Sequence, residues 1–167
     1  MNKRIRQYVG LFSAILVYYI IHEGAHLIYA LFTGAFKQVN FMGLGIQIDV
    51  YADKITEVQL GIFCIVGSIA TAIFAYVLVL ITDKIVETSS KIFKSCMYYV
   101  TIVILLLDPI YLSMLYKFFG GGDMNGISLL IPEAIAQILY GVLFVVNVLV
   151  FWKIVLPKYK AAFADVK

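Results

Sequence analysis

The stretch YYIIHEGAHLIYALFTG, residues 18–34, sets two histidines and a glutamate inside a run of aromatic and aliphatic residues. An ionisable group near the centre of a transmembrane helix costs roughly 2.5–3.5 kcal/mol on insertion scales, so such a residue is by default a functional one. Whether the run is a membrane span is decided by the chain around it. Of 167 residues, 63% are hydrophobic and 14% charged, and the mean hydropathy is +0.97. That balance is far from that of a soluble globular domain. Four apolar runs reach the roughly 20 residues a helix needs to cross a bilayer, at residues 8–32, 59–81, 96–116 and 134–152. The segments between them are short, with no Ser/Pro-rich linker, low-complexity tract or repeat. The expected fold is therefore an all-α membrane protein of about four transmembrane helices, a single domain over residues 1–167, with a short membrane-associated β-strand or hairpin after the first helix.

The net charge of +3 comes from Lys and Arg at the ends of the spans. It reads as membrane orientation and not as a nucleic-acid footprint. With the N-terminus inside, ten Lys and Arg fall on the cytoplasmic side and three, Lys37, Lys54 and Lys117, on the outer side. The positive-inside rule then predicts a multi-pass protein of the cell membrane with both termini cytoplasmic. The start MNKRIRQ resembles a secretory signal, but the apolar run after it is too long for a signal core, so a retained first span is expected. Cys64 and Cys96 fall near opposite ends of their spans, which predicts packing thiols and no disulfide.

His22, Glu23 and His26 form H-E-x-x-H, and on a helix the two histidines project from one face, one turn apart. That spacing suits one metal ion, and imidazole nitrogen suits zinc. A catalytic zinc takes three protein ligands and keeps an open position for water, whose pKa it lowers toward about 7. Glu23 sits beside the pair without belonging to it, which fits a general base. Hydrolysis of a peptide bond is the chemistry this pattern serves best. Tyr18, Tyr19 and Tyr29 lie near the same face and read chiefly as packing.

A third ligand must come from elsewhere, and the two candidates are Asp108 in LLLDPIYL and Asp123 in FFGGGDMNGI. Depth favours Asp108, because it and His22 both lie about 13–14 residues, roughly 20 Å, from the cytoplasmic ends of their helices. Asp123 would sit near the outer surface unless the chain turns back inward at the three glycines before it. Residues 39–50, VNFMGLGIQIDV, alternate with period two. Met42, Leu44, Ile46, Ile48 and Val50 face one way, and Gly43, Gly45, Gln47 and Asp49 the other. A strand edge there is a candidate substrate contact through Gly43, Gly45 and Gln47, since an extended peptide adds to an exposed edge by main-chain hydrogen bonds. In the second span, Gly67, Thr71 and Ala75 at four-residue spacing, with Ser68 and Ala72 beside them, predict a close helix approach. Asn147 in the last span predicts an interhelical hydrogen bond.

HEGAH in the first span, the glycine-bearing strand-like segment, the small-residue span and the late GGD together resemble the site-2 protease group of intramembrane zinc metalloproteases and its compact relatives. The resemblance covers residues from about 15 to 130, and H-E-x-x-H is its specific element. It implies a Zn2+ cofactor held by His22, His26 and Asp123, with GGDMNGI in place of the family's Leu-Asp-Gly motif. It also implies Glu23 as the catalytic base and Asp108 as a supporting or alternative ligand. The expected partners are the lipid bilayer and a membrane-embedded or membrane-adjacent protein or peptide substrate. Two other expectations fit the same residues: a non-proteolytic membrane zinc hydrolase, and a non-enzymatic membrane protein with a structural metal site.

Overall fold

A computed structural model of the chain describes residues 2–42, 45–120 and 122–164. The described residues are predominantly helical and include one two-stranded antiparallel sheet. Four helical segments are long and apolar enough to cross a membrane: Lys3–Phe32, Glu57–Leu80, Lys91–Phe119 and Glu133–Ala164. Three of them contain an apolar run of the sequence whole, and Glu57–Leu80 contains the run 59–81 except for Ile81, which caps the helix.

Helix α1 is Lys3–Phe32. Its buried residues, Gly10, Ala14, His22, His26 and Ala30, recur in steps of four, with half-buried Tyr18 completing the series. Both imidazoles thus lie on the stripe of small residues by which α1 packs against its neighbours, while Ile20 and Ile28 point outward as lipid-facing surface does. The helix ends where Gly34 adopts φ +67°, and the Thr33 hydroxyl donates to the carbonyl of Tyr29 at 3.0 Å. Strands β1, Phe36–Met42, and β2, Gly45–Val50, follow, with Val39 opposite Ile48 and Asn40 opposite Gln47. The alternation over residues 39–50 therefore belongs to a hairpin of two strands, and not to one continuous strand. Gly43 and Leu44, between them, lie outside the described residues.

Helix α2, Glu57–Leu80, starts at a reciprocal cap between Thr56 and Gln59. It buries Gly67, Ser68, Thr71 and Ala75, the small-residue stripe expected from the sequence. A short helix α3, Thr82–Glu87, leads to α4, Lys91–Ile110. A π-helical turn at Tyr111–Leu115 joins α4 to α5, Tyr116–Phe119, and α6 is Gly122–Ile127. The last span comprises α7, Glu133–Val150, a second π-helical turn at Phe151–Val155, and α8, Leu156–Ala164.

Pro109 sits inside α4 and has no N–H for the carbonyl of Leu105, which an uninterrupted helix would satisfy. In lipid an orphaned carbonyl is costly. Asn147 of α7 supplies the missing donor: its side-chain amide reaches the Leu105 carbonyl at 2.6 Å and accepts from the Tyr76 hydroxyl at 2.8 Å. The interhelical bond expected of Asn147 thus repairs a proline break. Two apolar clusters pack the bundle. One gathers Ala14, Ala75, Leu78, Ile104 and Tyr159, the other Ala30, Ile48, Phe63, Leu112 and Ile127. His22 and His26 lie between these two sets on α1. Cys64 and Cys96 are both free thiols.

Candidate metal centre

His26 donates from Nδ1 to the carbonyl oxygen of Phe63, 2.7 Å away. That oxygen only accepts, so the proton is on Nδ1 and the Nε2 lone pair is free. His22 Nδ1 lies 3.2 Å from Asp108 Oδ2, and the same reasoning frees its Nε2. Both Nε2 atoms then point into one space, 3.1 Å apart. The Asp123 carboxylate enters it with Oδ2 3.1 Å from His22 Nε2 and Oδ1 3.7 Å from His26 Nε2. With each ring protonated on Nδ1, the two Nε2 lone pairs and the Asp123 carboxylate face one space, a donor set suited to a cation at its centre.

The spacing can be compared with the size of a zinc ion. Zinc holds histidine nitrogen and carboxylate oxygen at about 2.0–2.2 Å in tetrahedral geometry, so neighbouring donors are about 3.3–3.5 Å apart. The two imidazole nitrogens stand 3.1 Å apart, and the carboxylate comes within 3.1 Å of one through Oδ2 and 3.7 Å of the other through Oδ1, separations of the order of this edge. His22 and His26 are buried and the Asp123 side chain keeps 22% exposure, which leaves one side open. The set of two imidazoles and one carboxylate suits zinc as the donor types do.

Asp123 reaches this point because the chain turns back inward. Gly120 takes φ +98° after α5, a left-handed conformation that a side chain would oppose, and α6 then carries Asp123 to the histidines. The depth argument placed Asp108 level with His22, and it is; but Asp108 meets the other nitrogen of the ring. Its carboxylate is 1% exposed and accepts from three donors: His22 Nδ1, the Tyr18 hydroxyl at 2.5 Å, and the Thr71 hydroxyl. Tyr18 also stacks on His22, ring centroids 5.1 Å apart. Asp108 therefore orients the His22 ring and favours the tautomer with Nε2 free.

Glu23 stands outside the donor set. Its Oε2 accepts from the backbone N–H of Ile48 at 3.3 Å, so β2 anchors it. His22, Glu23 and Asp123 border a cavity of ≈ 360 Å³ that Tyr19, Gln47 and Tyr111 also line. Of the expected substrate contacts, Gln47 is on this wall. Gly45 pairs with Met42 at the end of the hairpin and is not part of the wall, and Gly43 lies outside the described residues.

Four contributors are not singled out by the sequence pattern. Thr71 and Gly67 read there only as packing, and Tyr18 chiefly so. A Cβ built on Gly67 would lie 2.5 Å from His26 Nε2 and 2.8 Å from His22 Nε2. The bare backbone of α2 is thus the wall against which the two nitrogens converge. The carbonyl of Phe63 carried no sequence signal at all, since any residue offers one.

No protein-family model, no curated protein and no solved structure matches the chain.

Proposed function

We propose that this protein is a zinc-dependent protease that hydrolyses peptide bonds within or beside the membrane, a compact enzyme of the site-2 protease kind. The observation that carries the proposal is the convergence of His22 Nε2, His26 Nε2 and Asp123 at tetrahedral-edge spacing on a cavity that also holds a carboxylate, Glu23, which is not a ligand. A purely structural site needs no such base. When bound there, zinc lowers the pKa of water toward about 7 and polarises a carbonyl group. Glu23 accepts the proton of the attacking water and returns it to the leaving nitrogen. The Ile48 N–H holds that carboxylate in place, and Asp108, Tyr18 and Thr71 hold His22. The cavity accommodates an extended segment, so a helical substrate must unwind locally to present its backbone.

Glu23→Gln tests the reading, because it keeps the shape and removes the base. Zinc content should equal wild type, while cleavage of a single-span membrane substrate falls about 10²–10⁴-fold. Equal cleavage by wild type and Glu23→Gln at equal zinc content would refute the mechanism. Cleavage of a lipid-linked amide and of no peptide would assign the site to a different hydrolase. The charge distribution further supports a cell-membrane protein with both termini cytoplasmic. Cysteine labelling checks it: Lys37→Cys should react from outside, and Lys84→Cys only after permeabilisation. The reverse pattern would invert the orientation.

A further inference from the structure

At the end of the bundle opposite the hairpin, α1 and α4 both begin and α8 ends. A helix N-terminus carries partial positive charge and favours acidic residues in its first turn. Neither α1 nor α4 has one. Lys3, Arg4 and Arg6 stand at the first start, Lys91 and Lys94 at the second, so side-chain charge and both helix dipoles have the same sign. Lys3, Arg6 and Lys91, with Phe163 of α8, surround a cavity of ≈ 270 Å³ that no carboxylate among the described residues lines. The three cations make no ion pair among the described residues, and the nearest such pair at this end joins Lys158 to Asp83. The buried Lys94 Nζ is engaged with the carbonyl of Ala162 at 3.2 Å. Lys3, Arg6 and Phe163 also border a second space of ≈ 140 Å³, which runs between α1 and α4 beside Ser95, Tyr98 and Tyr99.

The positive-inside rule accounts for a number of cations on one side of a membrane. It does not account for their convergence on a concave space with an aromatic wall leading toward the bilayer. We propose that this cleft binds an anionic phospholipid, its phosphodiester among Lys3, Arg6 and Lys91 and its glycerol ester region against Tyr98 and Tyr99. The apolar run of α1 begins at Tyr8, which puts Lys3 and Arg6 at headgroup depth. Basic pockets between membrane helices at that depth suit such headgroups. A free phosphate would meet the same cations but leave the aromatic-lined space unfilled, and this favours the lipid. The inference is independent of the metal centre.

The test uses the full chain purified in a neutral detergent, where no charged bilayer surface contributes, with lipid retention followed by native mass spectrometry. One phosphatidylglycerol should be retained per chain and phosphatidylcholine should not. Lys3→Gln/Arg6→Gln/Lys91→Gln should weaken retention about 100-fold, at about fivefold per charge. Lys84→Gln/Lys158→Gln/Lys160→Gln removes equal charge from the same end and should change it less than about threefold. The charge-retaining Lys3→Arg/Arg6→Lys/Lys91→Arg should bind as wild type does, and circular dichroism checks that each variant is folded. Equal retention of the two lipids by wild type, or equal loss in the two glutamine variants, would overturn the proposal. Displacement of phosphatidylglycerol by millimolar inorganic phosphate would assign the cleft to free phosphate and overturn the lipid reading.

Discussion

Replacing Asp108 separates a positioning carboxylate from a ligand. Asn at this site can keep its oxygen toward Thr71 and His22 and turn its amide toward the Tyr18 hydroxyl, which then accepts instead of donating. The hydrogen bonds survive and the charge does not. A bond to a charged group is worth about 1.5–3 kcal/mol and a neutral one about 0.5–1.5, so the His22 contact loses about 1–1.5 kcal/mol. That corresponds to about tenfold weaker zinc binding. Asp108→Ala also leaves the His22 Nδ1–H without its acceptor, and its loss should approach about 100-fold, the upper range for groups that orient a metal ligand. Asp123→Ala removes a donor outright. Sharing an apparent zinc affinity of about 10–16 kcal/mol over four ligand positions gives about 3–4 kcal/mol, a loss of several hundred-fold. The assay is zinc titration of the purified protein against a chromophoric chelator. The expected order is wild type, Asp108→Asn, Asp108→Ala, Asp123→Ala, with full stoichiometry at saturating zinc for both Asp108 variants. If Asp108→Asn bound zinc more weakly than Asp123→Ala, Asp108 would be the ligand. If Asp108→Ala stayed within twofold of wild type, the contact to His22 would carry nothing.

Gly67→Ala should abolish zinc binding at micromolar metal while leaving the protein helical and monodisperse, because its Cβ would fall within 3 Å of both Nε2 atoms; zinc content after gel filtration checks it, and full occupancy would contradict the packing described. Ile46→Pro tests the strand edge: Ile48 turns its N–H away from β1 toward Glu23, and Ile46, two residues earlier, shares that direction and borders the cavity. Proline there deletes one main-chain donor on the free edge. Substrate turnover should fall about tenfold with zinc content unchanged, as for loss of one hydrogen bond of about 1–1.5 kcal/mol; unchanged turnover would remove β2 from substrate pairing.

The spans were legible from the length of their apolar runs, and the shared face of His22 and His26 and the small-residue stripe of α2 because both have helical period, which translates directly into position. The third donor was not legible from depth. Counting residues along a helix gives a height in the membrane but no angle around the axis, and at the height of His22 two acids arrive from different sides. Asp108 comes straight along α4, whereas Asp123 comes through a left-handed glycine and a short return helix. The residues alone left both open, and only the resemblance singled out Asp123. The hairpin was half legible. The register pairs Met42 with Gly45 and Asn40 with Gln47, so position 42 shares the face of Gly45 and Gln47 and not, as the alternation predicts, that of Ile46 and Ile48; a period-two count runs through the turn and reverses the faces beyond it. The pairing of Asn147 with the Leu105 carbonyl depends on which helix lies beside Pro109, and no local pattern contains that.

Helix α2 contributes no ligand atom from a side chain, yet it governs the centre from three successive points. At Phe63 its carbonyl fixes the tautomer of His26. One turn on, Gly67 leaves room for both nitrogens to converge, and a further turn on, Thr71 donates to the carboxylate that fixes His22. These positions are four residues apart, as are the two histidines, so each imidazole of α1 is met by its own turn of α2. A one-residue slip between the helices would set a side chain where Gly67 is and move both hydrogen bonds out of reach. The small-residue stripe thus does more than let two helices approach. It specifies the register in which the histidines present Nε2, and not Nδ1, to the third donor.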